Sequence, residues 1–347
     1  MPAKAPTTAH VAWRRDSSPS SDTQASVPAC LQASVEQLCA IIREARPAVV
    51  ACEPSLEGVL AGVGITYLAH ARAGQIRLAS SRGLQPALGE GVVSLPAPSE
   101  EVVAFARRVL LGFARHVRRD CRRRRKGVCP PTCSVSCLQR LMLASASDDP
   151  TMPETVHQYL RLGFAIGPRV YDMIADPRVA AYDSLARHVS GECEHTRQFV
   201  RFSHMADGSF AASYTPGANT IPLTADHFAQ RMLTERFVLV DPRHRVAAFH
   251  EVGERACQLV TLDAPLARNL AERHDLADDE HSVRAMWQRF YQGTSLPGRD
   301  RAQRGYDLRT KWMPQRLWAG LTELGPERAS MTTPARYAGE HDLPATP

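Results

Sequence analysis

The sequence predicts an α+β fold in which helices precede and follow an antiparallel sheet. Apolar residues recur at helical spacing through most of the first half of the chain, whereas two later segments alternate like strands around tight turns. The chain has 347 residues, of which 44% are hydrophobic and 22% are charged. This length and composition suffice for a buried core and exclude a wholly disordered chain.

The N-terminal region predicts a disordered arm, a short helix and a small two-stranded element. Residues 1–30 are rich in Pro, Ser, Thr and Ala, and a short amphipathic helix completes the region 1–47. Strands are expected at residues 48–53 and 75–80, with a helix between them that begins after Pro54-Ser55. The glycine- and proline-rich residues 82–97 predict a loop.

Helical patterns dominate the middle of the chain. Ser99, followed by two glutamates, is a favourable helix start, because its hydroxyl can cap the helix and the acids complement the positive end of the dipole. This helix leads into a run of arginines and ends before Pro130-Pro131. Further helices are expected at about 132–145, 153–174 and 178–197.

The pattern changes to strands near residue 198. The segment "FVRFSHMADGSFAASY" (199–214) predicts a hairpin that turns at Asp207-Gly208, and "FVLVDPRHRVAAFHE" (237–251) predicts a second one. A helix lies between them, so we expect an antiparallel ββαββ sheet. C-terminal helices follow at about 252–274, 279–292 and 314–324. The domain boundaries inferred are 48–324, divided into 48–150 and 151–324, with a tail at 325–347.

The net charge of +6 conceals two basic segments. Residues 105–126 carry ten cations against Asp120, and residues 281–318 carry eight against two aspartates, so these segments hold +9 and +6 and the remainder holds −9. Such concentrated charge indicates an anionic partner. The first segment allows two interpretations. It is either a solvated helix end or linker, or a surface that binds the phosphate backbone of nucleic acid without sequence preference.

The second basic segment, residues 281–318, interleaves aromatic residues with cations. Cations beside rings that stack on bases are typical of a single-strand binding groove. The alternative is that the tryptophans are core residues covered by arginine stems. Trp287, at helical spacing from Val283, favours the core reading. We expect phosphate contacts from four arginines and base stacking from one of two tryptophans: Arg197, Arg201, Arg299 and Arg316, with Trp312 or Trp318.

Three residues are candidates for acid–base chemistry. Glu192 lies one helical turn before His195, and a carboxylate beside an imidazole can transfer protons, although a salt bridge at the helix end is the more common arrangement. His227 and Asp241 could meet at the same end of the sheet. The catalytic candidates are therefore Glu192, His227 and Asp241.

A cluster of cysteines is the candidate metal site. Cys133 and Cys137 are four residues apart and would share a helix face, and with Cys121 and Cys129 they could hold zinc or an iron–sulfur cluster. No Cys-x-x-Cys pair is present, so cysteines acting as small apolar residues in a linker are the favoured reading. We expect no cofactor, with the metal as the alternative.

Targeting signals and common catalytic signatures are not found. No apolar run approaches the ~18 residues of a membrane span, and no apolar N-terminal segment precedes a small-residue cleavage site. The sequence lacks a P-loop, a serine nucleophile elbow and a zinc-protease motif. The nine cysteines are thus expected to be reduced thiols of a cytoplasmic protein with no membrane association.

Several segments, in their order and spacing, resemble the bacterial family with the domain of unknown function 4130. They include "EPSLEGVLAGVGITYL" (53–68), "QFVRF" (198–202), "IPLTADHFAQR" (221–231) and "MPQRLW" (313–318). The likeness covers about residues 48–324. Members of this family usually have Glu-x-His-Arg before the "FVRF" strand. This chain departs there, since Glu194 and His195 replace the expected His and Arg.

The resemblance implies a role in DNA metabolism or repair. Family members are often encoded beside a radical-SAM protein, and some are fused to a uracil-DNA glycosylase domain. Together with the basic–aromatic pattern, the resemblance leads us to expect an accessory protein that binds DNA, single-stranded or damaged, with a radical-SAM or glycosylase partner. Two alternatives stay open: an enzyme that acts on a nucleobase or the nucleic-acid backbone by acid–base chemistry, and a protein–protein adaptor.

Overall fold

The computed structural model describes residues 27–72, 74–124, 132–272, 275–293 and 313–322, and it confirms an α+β fold. The described residues form two compact units. The first comprises residues 27–194 with Pro216–Thr224, and the second comprises His195–Thr215 with residues 225–322. The predicted N-terminal arm before residue 27 and the predicted tail at 325–347 lie outside the described residues. In the part of the chain that is described, no helix is long and apolar enough to cross a membrane.

A three-stranded parallel sheet forms the centre of the first unit. Its strand order is β2-β1-β3, and helices cover it. The helix between the first two strands is apolar on all sides and buried, as expected for a helix inside a core. The elements up to this sheet are α1 (Ala29–Arg43), β1 (Ala48–Cys52), α2 (Leu56–Leu68), β2 (Ile76–Ser80) and β3 (Gly91–Ser94).

The strand β3 corrects the prediction of a two-stranded element and of a loop over residues 82–97. It pairs with β1 from Ala48 opposite Gly91 to Ala51 opposite Ser94. A Cβ atom at Gly91 would lie 2.7 Å from Ile41 Cδ1, so the glycine allows α1 to approach the sheet closely. The strand is only four residues long and is flanked by glycine and proline, which explains why its sequence resembles a loop.

Helices complete the first unit. The buried face of the long α3 carries Val102, Phe105, Leu110, Phe113 and Val117, at the spacing that one side of a helix requires. The predicted helix over 153–174 instead ends at Ile166 and continues as a 3-10 helix, because Gly167 adopts a φ of +64°. The elements are α3 (Glu100–Arg124), α4 (Thr132–Ser145), α5 (Met152–Ile166), the 3-10 helix Gly167–Asp172 and α6 (Pro177–Phe199).

A five-stranded mixed sheet forms the second unit, with strand order β4-β5-β6-β7-β8. Both predicted hairpins are present as antiparallel pairs, β4–β5 and β6–β7, and Gly208 in the first turn has the positive φ of +76° that glycine tolerates best. The strands are β4 (Ser203–His204), β5 (Phe210–Ser213), β6 (Phe237–Asp241), β7 (Val246–His250) and β8 (Gln258–Thr261), and α7 (Ile221–Arg231) connects β5 to β6.

The connection through α7 corrects the predicted antiparallel ββαββ arrangement. Strands β5 and β6 are parallel, with Phe210 opposite Phe237, since a helical crossover returns the chain to the same end of the sheet. The predicted helix over 252–274 is also wrong. Its first half forms the edge strand β8, and only α8 (Ala264–Ala271) is helical. The predicted helix at 279–292 is confirmed as α9 (Asp278–Gly293), and a 3-10 helix covers Gln315–Gly320.

The buried side chain of His250 ties two loops to the end of β7. Its Nδ1 lies 2.8 Å from the carbonyl oxygen of Glu235, and its Nε2 lies 2.7 Å from that of Glu254. The ring also stacks on Phe237, with a centroid separation of 4.7 Å. Because carbonyl oxygens only accept, a ring N–H of His250 is the donor in such a contact.

We expect His250→Phe to lower the free energy of unfolding by about 1 to 3 kcal/mol. Phenylalanine can keep the stack on Phe237 but removes the ring N–H that donates to these carbonyl oxygens. Urea unfolding followed by circular dichroism measures the change, and His227→Phe at an exposed position is the matched control. An unchanged unfolding midpoint for His250→Phe would show that neither bond contributes.

Candidate nucleic-acid interface

A small hydrophobic cluster in the second unit brings together three segments that are distant in sequence. Trp318 and Leu321 are buried, and Phe199, Tyr291 and Met313 pack against them. The end of α6, the end of α9 and the segment 313–321 therefore meet at one place. Each of these segments carries an arginine within two residues of the cluster.

The arginines of these segments are largely accessible. Arg201, Arg289 and Arg316 are exposed, while Arg197 is partly buried. The Arg201 guanidinium donates to the carbonyl oxygen of Gln198 at 2.9 Å, which directs this side chain along the end of α6. The cluster thus brings the segments of the predicted Arg197, Arg201 and Arg316 together. Arg299 and Trp312 lie outside the described residues.

Trp318 itself is buried and hydrogen-bonded within the cluster. Its indole is 3% exposed, and its Nε1–H donates to the carbonyl oxygen of Met313 at 3.0 Å. A buried indole with a satisfied N–H is typical of a core residue. This burial favours the core reading that the sequence left open for Trp318, since the ring offers no accessible face to a base.

The polar side of α9 faces the rest of the second unit. Arg284 donates to Glu280 Oε1 at 2.8 Å and to Ser203 Oγ at 2.6 Å. One turn later the side-chain amide of Gln288 donates to the carbonyl oxygen of Thr322 at 3.0 Å. These bonds fix the rotation of α9 about its axis.

The apolar side of α9 is consequently exposed. Val283, Met286, Trp287 and Phe290 are spaced as one helix face and are 49%, 65%, 42% and 60% exposed. The prediction that Trp287 is a core residue is therefore wrong. Its ring and that of Phe290 lie nearly parallel, with centroids 5.6 Å apart and an interplanar angle of 24°. The sequence identified the aromatic–basic pattern but not that these two rings are exposed.

Asp241, a catalytic candidate, stabilises a turn. Its carboxylate is fully buried and accepts hydrogen bonds from the backbone N–H groups of Arg243 and His244, at 3.0 and 3.1 Å, and it also contacts the His244 ring. These bonds close the β6–β7 hairpin, where Arg245 adopts a positive φ of +56°. This structural role accounts for an aspartate at the end of a buried strand.

The other two acid–base candidates lie in different units. His227 is exposed on α7 in the second unit, and its ring contacts Phe228 edge-on. Glu192 lies in the first unit, where it is buried and its Oε2 accepts the N–H of Gly217 at 2.7 Å. A Cβ atom at residue 217 would lie 3.1 Å from that oxygen, so glycine permits the close approach.

Gly217 also lines a surface cleft in the first unit. The cleft has a volume of about 410 Å³ and contains two carboxylates and an imidazole beside the loop that Glu192 holds. Its lining residues are Ser147, Asp148, Asp149, Ser184, Leu185, His188 and Gly217. Acid–base chemistry at Glu192 stays a prediction.

The cysteine cluster is described only in part. Cys129 lies outside the described residues, as do the side chains of Cys121 and Cys133. Cys137 is buried in the core of the first unit, and its burial raises the pKa of the thiol, an effect that outweighs its hydrogen bond with Tyr171. A raised pKa favours the neutral thiol, whereas metal binding needs the thiolate. Among the described residues, no group of three or more potential ligands is gathered.

The fold and the exposed arginine–aromatic surface define an α+β protein with a candidate interface for a polyanion. The model of the domain of unknown function 4130 matches residues 150–323, half of the chain, and this protein belongs to that family. The matched range contains the whole candidate interface. The segment 53–68, which also resembles the family, precedes the match.

Solved structures share only a slight likeness with this chain. RecJ from Thermus thermophilus in complex with Mg²⁺ is 12% identical, with a TM-score of 0.36 over 72% of this chain and 54% of RecJ. The DHH domain of a member of the s1p family of ribosomal proteins is 10% identical, with a TM-score of 0.29 over 63% of this chain and 76% of that domain. The chain thus spans about half the length of RecJ. No curated protein matches it.

We expect Cys137→Ala to leave the zinc and iron content of the purified protein unchanged, because the wild-type thiol is buried and neutral. Elemental analysis of anaerobically purified protein measures both metals. Cys193→Ala, at another buried cysteine of the same unit, is the matched control. A stoichiometric metal that only the Cys137 variant loses would establish the cysteines as ligands.

Proposed function

We propose that this protein binds nucleic acid through the surface formed by the end of α6, α9 and residues 313–321. The observation that carries the proposal is that the cluster of Trp318 brings together three segments, each of which carries an exposed arginine: Arg201, Arg289 and Arg316. Guanidinium groups bind phosphate oxygens in a bidentate manner, and a fixed set of them follows a phosphate backbone.

The charge of the surrounding sequence supports the same partner. The residues between α9 and the cluster include Arg299 and four further cations, so that the segment 281–318 carries a net charge of +6. Such a charge attracts a polyanion over a distance of about one Debye length, ~8–10 Å at physiological salt. We propose DNA as the polymer, single-stranded or damaged, because the family is linked to DNA metabolism and repair.

The basic part of α3 is an auxiliary contact in this proposal. Arg107, Arg108 and Arg115 are exposed on that helix in the first unit, and its backbone continues to Arg124. Contacts of this kind add affinity without sequence preference. We further propose that the protein acts in the cytoplasm as an accessory to a radical-SAM or glycosylase protein, as the family resemblance implies.

The combined substitution of Arg201, Arg289 and Arg316 by alanine should weaken DNA binding and flatten its salt dependence. Each lost phosphate contact lowers the slope of log K against log salt by about 0.7 for a single strand, so the total change is about 2. Fluorescence anisotropy of a labelled oligonucleotide across a salt series measures the slope.

The matched control replaces three exposed arginines on other elements of the same unit: Arg231, Arg255 and Arg268. This control should keep the wild-type slope. Equal effects of the two triple variants would assign binding to net charge rather than to this surface, and wild-type protein that binds no form of DNA would overturn the proposal.

A second candidate function is acid–base catalysis on a nucleobase or on the nucleic-acid backbone. The buried Glu192 carboxylate beside the cleft of the first unit favours it. Glu192→Gln retains an acceptor for the Gly217 N–H but cannot exchange a proton, so it should abolish turnover on a panel of damaged DNA while DNA binding stays at the wild-type level. Wild-type turnover in this variant would exclude Glu192 as the acid or base.

A further inference from the structure

Helix α9 exposes the side that a surface helix normally buries. Its polar residues Glu280, Arg284 and Gln288 make the inward hydrogen bonds, and its four large apolar residues face solvent. A contiguous apolar face on a soluble protein marks an interaction site more often than chance exposure does. The face is therefore a candidate binding surface for a ligand with apolar surface of its own.

The chemistry of this face favours a nucleobase over an apolar protein surface. Its two largest members are aromatic, and the rings of Trp287 and Phe290 stack on each other with centroids 5.6 Å apart, so this end of the face is an aromatic platform rather than an aliphatic groove. Arg289 is exposed between them in sequence. The C-terminal half of α9, residues 284–293, contains no acidic residue, whereas Asp279 and Glu280 lie at the opposite, N-terminal end.

The acidic residues at the N-terminal end of α9 contact other residues of the second unit. The ring of His204 lies 3.0 Å from Asp279 Oδ1, and Glu280 accepts hydrogen bonds from the backbone of His204 and from Arg284. The carboxylates of Asp279 and Glu280 thus have polar partners within the second unit and lie next to the favourable end of the helix dipole. The platform at the other end combines ring faces with positive charge, which is the combination that single-strand binding proteins use.

We propose that Trp287 and Phe290 stack on unpaired bases of the bound nucleic acid, so that the protein prefers single-stranded or locally unpaired DNA to a duplex. This inference rests on the proposed function and names the side chains that select unpaired bases. In a duplex the faces of each base are covered by neighbouring bases, so only an unstacked base can cover the α9 platform.

The test compares a normal single-stranded oligonucleotide with an abasic one of the same length and charge. Wild-type protein should bind the normal strand about tenfold more tightly, and the combined Trp287→Ala and Phe290→Ala variant should bind both strands with the affinity of wild type for the abasic strand. Trp287→Phe should restore most of the difference, because it restores a ring.

Met286→Ala is the matched control, since Met286 belongs to the same exposed face but has no aromatic ring. This variant should keep the tenfold preference. Equal losses in the methionine and aromatic variants, with a change in sedimentation coefficient, would assign the face to a protein partner such as a second copy of the chain.

Failure of the inference differs from failure of the proposed function. Salt-sensitive binding that is equal for normal and abasic strands would overturn the stacking and leave the arginine surface in place. Absence of binding to both strands would overturn the proposed function itself. Circular dichroism verifies that the variants fold, which is expected because the replaced side chains are exposed.

Discussion

The pairing of Arg284 with Glu280 and Ser203 determines the surface of the second unit. A partly buried guanidinium is costly unless its donors are satisfied, and here one carboxylate and one hydroxyl satisfy it. Because residues on a helix have fixed angular positions, holding Arg284 and Gln288 inward directs Met286 and Phe290 to the opposite side, with Trp287 at the border between the two sides. The exposure of Met286 and Phe290 is therefore a consequence of polar contacts on the other side of the same helix.

The cluster of Trp318 supplies the second constraint. Trp318 and Leu321 are buried, and Phe199, Tyr291 and Met313 contact them, so the cluster joins segments that are more than a hundred residues apart in sequence. Apolar contact of this kind is non-directional, and the indole N–H bond to Met313 adds the orientation. Trp318, one of the two tryptophans expected to contact a base, is thus a core residue of the cluster, whereas Trp287, expected in the core, is partly exposed.

Local signals allowed much of the fold to be predicted. The turn at Asp207-Gly208 and the helix at 279–292 depend on residues close in sequence, and both were predicted correctly. The strand β3 and the parallel pairing of β5 with β6 depend on distant partners. A strand of four residues is too short to show the alternation of apolar and polar residues that identifies a strand. The direction of a strand that follows a crossover helix is determined by the connection rather than by the residues of the strand.

The interface shows why periodicity alone could not settle which face of α9 is buried. Glu280, Arg284 and Gln288 recur every four residues, and Val283, Trp287 and Phe290 recur at the same helical period on another face. The apolar set would normally be buried. Its exposure depends on Ser203 and Thr322, which receive the polar set but lie far away in sequence. An aromatic face that remains exposed despite its hydrophobic cost is more readily explained by a ligand than by the stability of the unit alone.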